Sequence, residues 1–330
     1  MHPAAPPPRK ASPRLAFLLG ALLALGGCAQ SPGAPERPAS SGFRTQALPG
    51  RDGATLLALE RGARVAPLRY RVVVVPGSGC AGMGAFAGRY FAGLLHAQVL
   101  VLHKPGVDPQ ARTAPGDCAP GFVQQDRLSA WLAHARAALR ADALRRQGEP
   151  PVPQLLVGIS EGAELLPALA PEVPQLAGLV LIGASGLDPQ QAGALQAERL
   201  GAQDDWAELG RIQAGRRADG AVVQGRSLGY WRDLWTWPLA LPLVRSPWPL
   251  LQVWGGDDTL VPSAAYAQFA RMAALRAVPY CACRIGGADH GLQRPDGSDG
   301  VQQVWAWAEQ WARAPQAGLC GPGVTGADAS

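Results

Sequence analysis

The sequence predicts an α/β protein: a doubly wound, mostly parallel sheet, covered by helices on both faces and interrupted by a helical cap. Three observations carry this expectation. Short apolar runs such as Val72–Val75 do not alternate with polar residues, which is how a strand buried on both faces reads. Stretches with helical periodicity separate these runs. One segment, from about 187 to 247, breaks the alternation and holds no clear buried strand. The composition agrees. With 48% hydrophobic and 17% charged residues in 330, the chain can bury a large core, which excludes wholesale disorder.

The chain opens with an address rather than a fold. Residues 1–14 are basic and proline-rich, and Leu15 to Leu25 form an 11-residue apolar run. That run is shorter than the roughly 18 residues a membrane span needs, and small residues follow it, as in a secretory signal. The sequence Leu25-Gly-Gly-Cys28 resembles a bacterial lipobox, which implies cleavage after residue 27 and acylation of Cys28. The competing reading is an ordinary cleaved signal. Ala29 after the cysteine implies sorting to the outer membrane, facing the periplasm. Residues 28–42 are rich in Pro, Ser and Gly and are expected to be a flexible tether. The folded unit is then expected over 43–313, with a tail over 314–330.

Within that unit the elements follow in order. Arg71–Val75 reads as a strand ending in Pro76-Gly-Ser-Gly79, and Gln98–Leu102 as the next. Residues 124–147 read as one amphipathic helix with Leu128, Trp131, Leu132, Ala135 and Leu139 on one face, stopped by Gly148 and the prolines after it. Further strands are expected at Gln154–Gly158, Leu176–Ile182, Pro249–Trp254 and Tyr280–Ile285, with helices at about 263–275 and 301–313. The cap segment turns aromatic at its end: Trp231, Trp235, Trp237, Trp248 and Trp254 fall within 24 residues. These rings read either as a seam holding the cap down or as an apolar wall over a binding site.

Charge narrows the partners. The net charge is +5, and Arg9, Lys10 and Arg14 of the leader contribute three of those charges. Lys10 and Lys104 are the only lysines and no basic face clusters, so no nucleic-acid partner is expected. The expected partners are the membrane, through the lipid anchor, and a small acyl substrate. The oligomeric state is left open.

Five cysteines follow Cys28, and export implies an oxidising compartment. Cys80–Cys118 is the expected first bridge. Cys281 and Cys283, on one strand, are expected to face opposite sides and not to bond to each other. Cys320 is expected to pair with one of them, leaving one thiol. The candidates are therefore Cys80, Cys118, Cys283 and Cys320, with Cys281 as the alternative to Cys283. A metal site at Cys281 and Cys283 is the rival reading, weakened because no second close cysteine pair exists and His290 is the only nearby histidine. No nucleotide loop, haem motif or metal cluster is found, so no cofactor is expected.

Gly158-Ile-Ser160-Glu-Gly162 fits G-x-S-x-G, with an apolar strand running into it and a helix expected after it. That context is a strand-turn-helix elbow, which holds a serine hydroxyl out at the carboxyl end of a sheet. Its glycines leave room where side chains would clash, and the helix start behind the serine favours developing negative charge. A serine needs a base, and of the five histidines only His290 follows Ser160, in a loop after the last strand. His96 and His134 read as structural, and His103, at a strand end, as structural or pocket-lining. The base needs an acid. In Trp254-Gly-Gly-Asp-Asp-Thr-Leu-Val-Pro262, the pattern G-x-x-D-x-x-V-P selects Asp258 over Asp257, with Asp188 as the alternative position.

With Ser160, Asp258 and His290 in that order over residues 68 to 313, the sequence resembles the α/β-hydrolase superfamily. The resemblance implies an oxyanion hole from the loop Pro76–Cys80, with Pro76 standing where a histidine is common. Its backbone donors would be Ser78 or Gly79 and the amide of Glu161. The Glu161 side chain itself is expected to be solvated at a helix start. The implied activity is a serine hydrolase of carboxylesterase type. Peptidase, amidase or thioesterase activity on the same fold is the alternative, as is a non-catalytic binding lipoprotein of the envelope.

Overall fold

The computed structural model describes residues 42–321, so the leader, Cys28, most of the tether and the end of the tail lie outside the described residues. The described residues begin with an antiparallel hairpin, β1 (Arg44–Pro49) and β2 (Thr55–Arg61), which the sequence reading did not anticipate. Then come β3 (Tyr70–Val75), α1 (Gly84–Tyr90) and β4 (Ala97–Leu102). The expected helix over 124–147 is divided into α2 (Pro120–Gln125) and α3 (Leu128–Arg145). Next are β5 (Gln154–Ile159), a 3-10 turn over Ser160–Leu165, α4 (Leu166–Leu169) and β6 (Leu176–Ile182).

The segment that breaks the rhythm lies between β6 and the next sheet strand and is mostly helical. It holds α5 (Pro189–Arg199), α6 (Gln203–Ala214), the short hairpin β7 (Val222–Val223) with β8 (Arg226–Ser227), α7 (Leu228–Thr236) and α8 (Ala240–Arg245). The chain returns to the sheet through β9 (Leu250–Gly255), α9 (Ser263–Ala273), β10 (Tyr280–Ile285) and α10 (Val301–Arg313).

The eight-stranded sheet has the order β1-β2-β4-β3-β5-β6-β9-β10. β2 runs antiparallel to both of its neighbours, and every pair from β4 to β10 is parallel. The apolar runs explain this arrangement. On β3, Val72 and Val74 enter a core formed with Phe91, Trp305 and Trp311, while Val73 and Val75 enter a second core with Leu128, Trp131 and Phe269. Side chains alternate across a strand, so four consecutive valines serve both faces at once. Burying each is worth about 1.5–3 kcal/mol. The cap has its own small core around Trp206, Tyr230, Trp231 and Leu234.

Cys80 and Cys118 form the expected disulfide, and a second joins Cys281 to Cys320. This corrects the sequence reading, which favoured Cys283. Residues two apart on a strand share a face, and both Cys281 and Cys283 enter the same core. The chain after α10 brings Cys320 to the start of the β9–β10 pair, where both Cys281 and Cys320 lie against the Leu250 carbonyl. Leu250 is in register with Tyr280, next to Cys281, and Cys283 lies two residues further along. Cys283 takes part in no disulfide, and burial pushes its thiol up to about 11. The disulfide at Cys281 also removes the cysteine metal reading.

Candidate functional site

Ser160 follows directly on β5 with φ of +50°, a left-handed conformation that costs energy in any residue with a side chain. The glycines on either side make the turn possible through lack of bulk. A Cβ on Gly158 would lie 2.3 Å from the Ala163 Cα, and one on Gly162 would lie 2.2 Å from the Val75 carbonyl oxygen. The segment after the serine is a six-residue 3-10 turn and then the four-residue α4, not the longer helix expected from the sequence. Dipole support for a negative charge is therefore confined to a short helical stretch.

The loops after β9 and β10 bring Asp258 and His290 to this turn. Ser160 Oγ lies 3.0 Å from His290 Nε2, and His290 Nδ1 lies 2.9 Å from Asp258 Oδ2. The second Asp258 oxygen accepts from the amides of Leu260 at 2.8 Å and Val261 at 3.0 Å, and Oδ2 also accepts from the Tyr266 hydroxyl at 2.8 Å. Burial works to raise the Asp258 carboxyl, but the hydrogen bond from the His290 ring, the attraction of that ring whenever it is charged, and the two amides outweigh it and hold it below the usual range. An ionised Asp258 accepts only, so His290 carries its proton on Nδ1. Nε2 is then left with a lone pair for the Ser160 hydroxyl.

The other candidates are placed elsewhere. Asp188 accepts from the Leu239 and Ala240 amides at the start of α8, at 2.6 and 2.8 Å. His103 is buried and accepts from the Met83 amide, outside the cleft. His96 lies against the Pro67 carbonyl and His134 accepts from the Arg51 amide. Ser78 lines the cleft with Ser160 and His290. Gly79 is not among the lining residues; its φ is +89°, and the Cys80–Cys118 bridge ties down the chain beside it.

Glu161 departs most from expectation. Its side chain is buried, not solvated, at 6% exposure. Lys104 Nζ bridges it to Asp126, 2.8 Å away. From the cap, Arg226 pairs with Asp126 at 2.7 Å and lies 3.7 Å from Glu161, and the Tyr230 hydroxyl donates to Glu161 Oε2 at 3.2 Å. Strand β8 and the start of α7 lay Arg226 and Tyr230 over the elbow and shut out the water that would have solvated Glu161. Sequence reasoning missed Lys104, Asp126, Arg226, Tyr230, Tyr266 and Glu164. Only Lys104, one of two lysines, stood out in the sequence.

The cleft above Ser160 encloses about 720 Å³, its open mouth included. Leu187, Leu239, Leu260, Val261 and Pro262 give it an apolar wall. None of the five clustered tryptophans lines it, which corrects the pocket-wall reading. Trp231 is buried in the cap core, and Trp235 stacks on Trp206 at 4.5 Å. Trp237 and Trp248 pack on the main core, and Trp254 stacks on Tyr266 at 4.8 Å. Trp237 alone of the five is seen to bond from the cap to the elbow, through the Glu164 carbonyl, and through Tyr266 Trp254 braces Asp258.

No family model and no curated protein matches the sequence. Solved structures do. An esterase from Pyrobaculum calidifontis superposes with a TM-score of 0.56 at 18% identity, over 82% of this chain and 86% of its own. Est1E from Butyrivibrio proteoclasticus gives 0.54 at 13% identity, over 83% and 99%. A puromycin-hydrolyzing peptidase from Mycobacterium tuberculosis gives 0.55 at 16% identity; the match covers 86% of this chain but 42% of the peptidase. With the strand order above, these likenesses establish the α/β-hydrolase fold.

Proposed function

We propose that this chain is a serine hydrolase that cleaves a carboxylic ester through an acyl-enzyme. The observation that carries the proposal is the hydrogen-bonded series Ser160–His290–Asp258 at the carboxyl end of the sheet. Ser160 Oγ attacks the carbonyl carbon while its proton passes to His290 Nε2. The negative charge forming on the carbonyl oxygen is received by backbone amides at Ser78 and Glu161, beside the nucleophile. His290 then gives its proton to the departing alcohol. Water, deprotonated by the same ring, releases the acid and restores the serine. Asp258 stays ionised throughout, which fixes the ring and stabilises its charged form.

The aliphatic cleft wall supports an acyl group of modest size with apolar character. The peptidase among the structural likenesses keeps amide cleavage as the alternative. The leader and Cys28 support an enzyme acylated at its new N-terminus and held at the outer membrane, facing the periplasm. Two measurements test these readings. Hydrolysis of 4-nitrophenyl esters should fall by about 10⁴-fold or more in Ser160→Ala. Metabolic labelling with a fatty acid should mark the native chain and not Cys28→Ala.

A further inference from the structure

Glu164 stands on the same turn as Ser160 and lines the same cleft. Its backbone carbonyl accepts from Trp237 Nε1 at 2.9 Å, so the cap pins the residue in place. Its carboxyl group is treated differently from the acids around it. Asp126 and Glu161 are each paired with both Lys104 and Arg226. Glu164 Oε2 is buried and has no hydrogen-bond partner among the described residues. Three carboxyl groups thus meet two cations. Burial and the adjacent Glu161 push the Glu164 carboxyl well above the ordinary range, against the pull of Lys104 and Arg226. An unmatched buried carboxyl is costly for the fold. The residue as a whole is only half-buried and stands in the wall of the cleft that holds the nucleophile, where a cationic ligand can meet its carboxyl group.

We infer that Glu164 determines specificity: it receives a positively charged group of the substrate near the scissile bond, which displaces the carboxyl proton to solvent and takes its place beside the carboxylate. The inference rests on the hydrolase reading above and narrows its substrate to a cationic ester. Two pairs of permanently charged probes and their neutral isosteres test it. One carries the charge on the alcohol (butyrylcholine against 3,3-dimethylbutyl butyrate), the other on the acyl group (the 4-nitrophenyl esters of betaine and of 3,3-dimethylbutyrate). For each pair the ratio of kcat/KM, charged over neutral, is compared between the native enzyme and Glu164→Gln. A ratio is internal to one sample, so partial unfolding of the variant cancels, and intrinsic ester reactivity cancels between the enzymes.

The expected result is a fall of about tenfold or more in at least one pair, the scale of one contact to a charged group. Glu164→Asp should restore part of it. Ratios unchanged in both pairs overturn the inference. Fluorophosphonate labelling in the same samples keeps the two levels apart. Labelling of Ser160 with unchanged ratios overturns the role of Glu164 alone, and no labelling overturns the hydrolase reading together with it.

Discussion

Asp258 shows how much one side chain can be asked to do. It accepts from two backbone amides, the Tyr266 hydroxyl and the His290 ring, so its orientation and its charge are both fixed. Asp258→Asn removes the charge and favours the wrong ring tautomer, and kcat should drop by about 10⁴. Tyr266→Phe removes one donor of several and should cost about tenfold in kcat/KM, measured with the same ester. His103 makes a different kind of statement. Burial lowers its pKa from 6.5 to about 4, so the native state holds it neutral. Above pH 6.5 neither state binds a proton and native stability is undiminished by this group. As the pH falls from 6.5 to 4, the unfolded chain takes up a proton that the native one excludes, and about 3 kcal/mol of stability is lost. Urea midpoints at pH 7 and pH 4.5 should show a smaller loss in His103→Gln than in the native chain.

At the scale of elements, the legible parts were those with local chemistry. Ser160 and its glycines announce a turn, and Asp258 and His290 each sit in a loop directly after an apolar strand. The hairpin of β1 and β2 was illegible because it is an edge: Arg44–Pro49 is largely exposed and carries no apolar run. The fate of Glu161 was illegible for another reason. Its partners Lys104 and Tyr230 lie 57 and 69 residues away, and no local pattern reports an approach over such separations. That cluster ties the cap to the elbow. Removing one partner, in Arg226→Met, leaves buried carboxylates short of a cation and should destabilise the fold by about 3–5 kcal/mol. Glu161→Gln combined with Arg226→Met should cost less than the sum of the two single changes, read by urea unfolding.

Over the whole molecule, two cores divided by one sheet hold the loops of Ser160, Asp258 and His290 at its carboxyl edge, and among the described residues two cross-links close long excursions of the chain. The Cys281–Cys320 bridge spans 39 residues, for which chain entropy gives about 4 kcal/mol. Cys320→Ala should lose about that much in a urea titration, and Cys283→Ala much less. The tryptophans serve packing at this scale too: Trp231 and Trp235 fill the cap's own core, and Trp237 fastens the cap to the elbow.

A single question decides whether this arrangement works as chemistry: whether Ser160 is an activated nucleophile. Fluorophosphonate treatment of the folded, oxidised protein, followed by peptide mapping, answers it directly. One adduct per chain, on Ser160, absent from Ser160→Ala and strongly slowed in Asp258→Asn, is the expected result. Recovery of the folded protein without an adduct, or with the adduct on another residue, would contradict it.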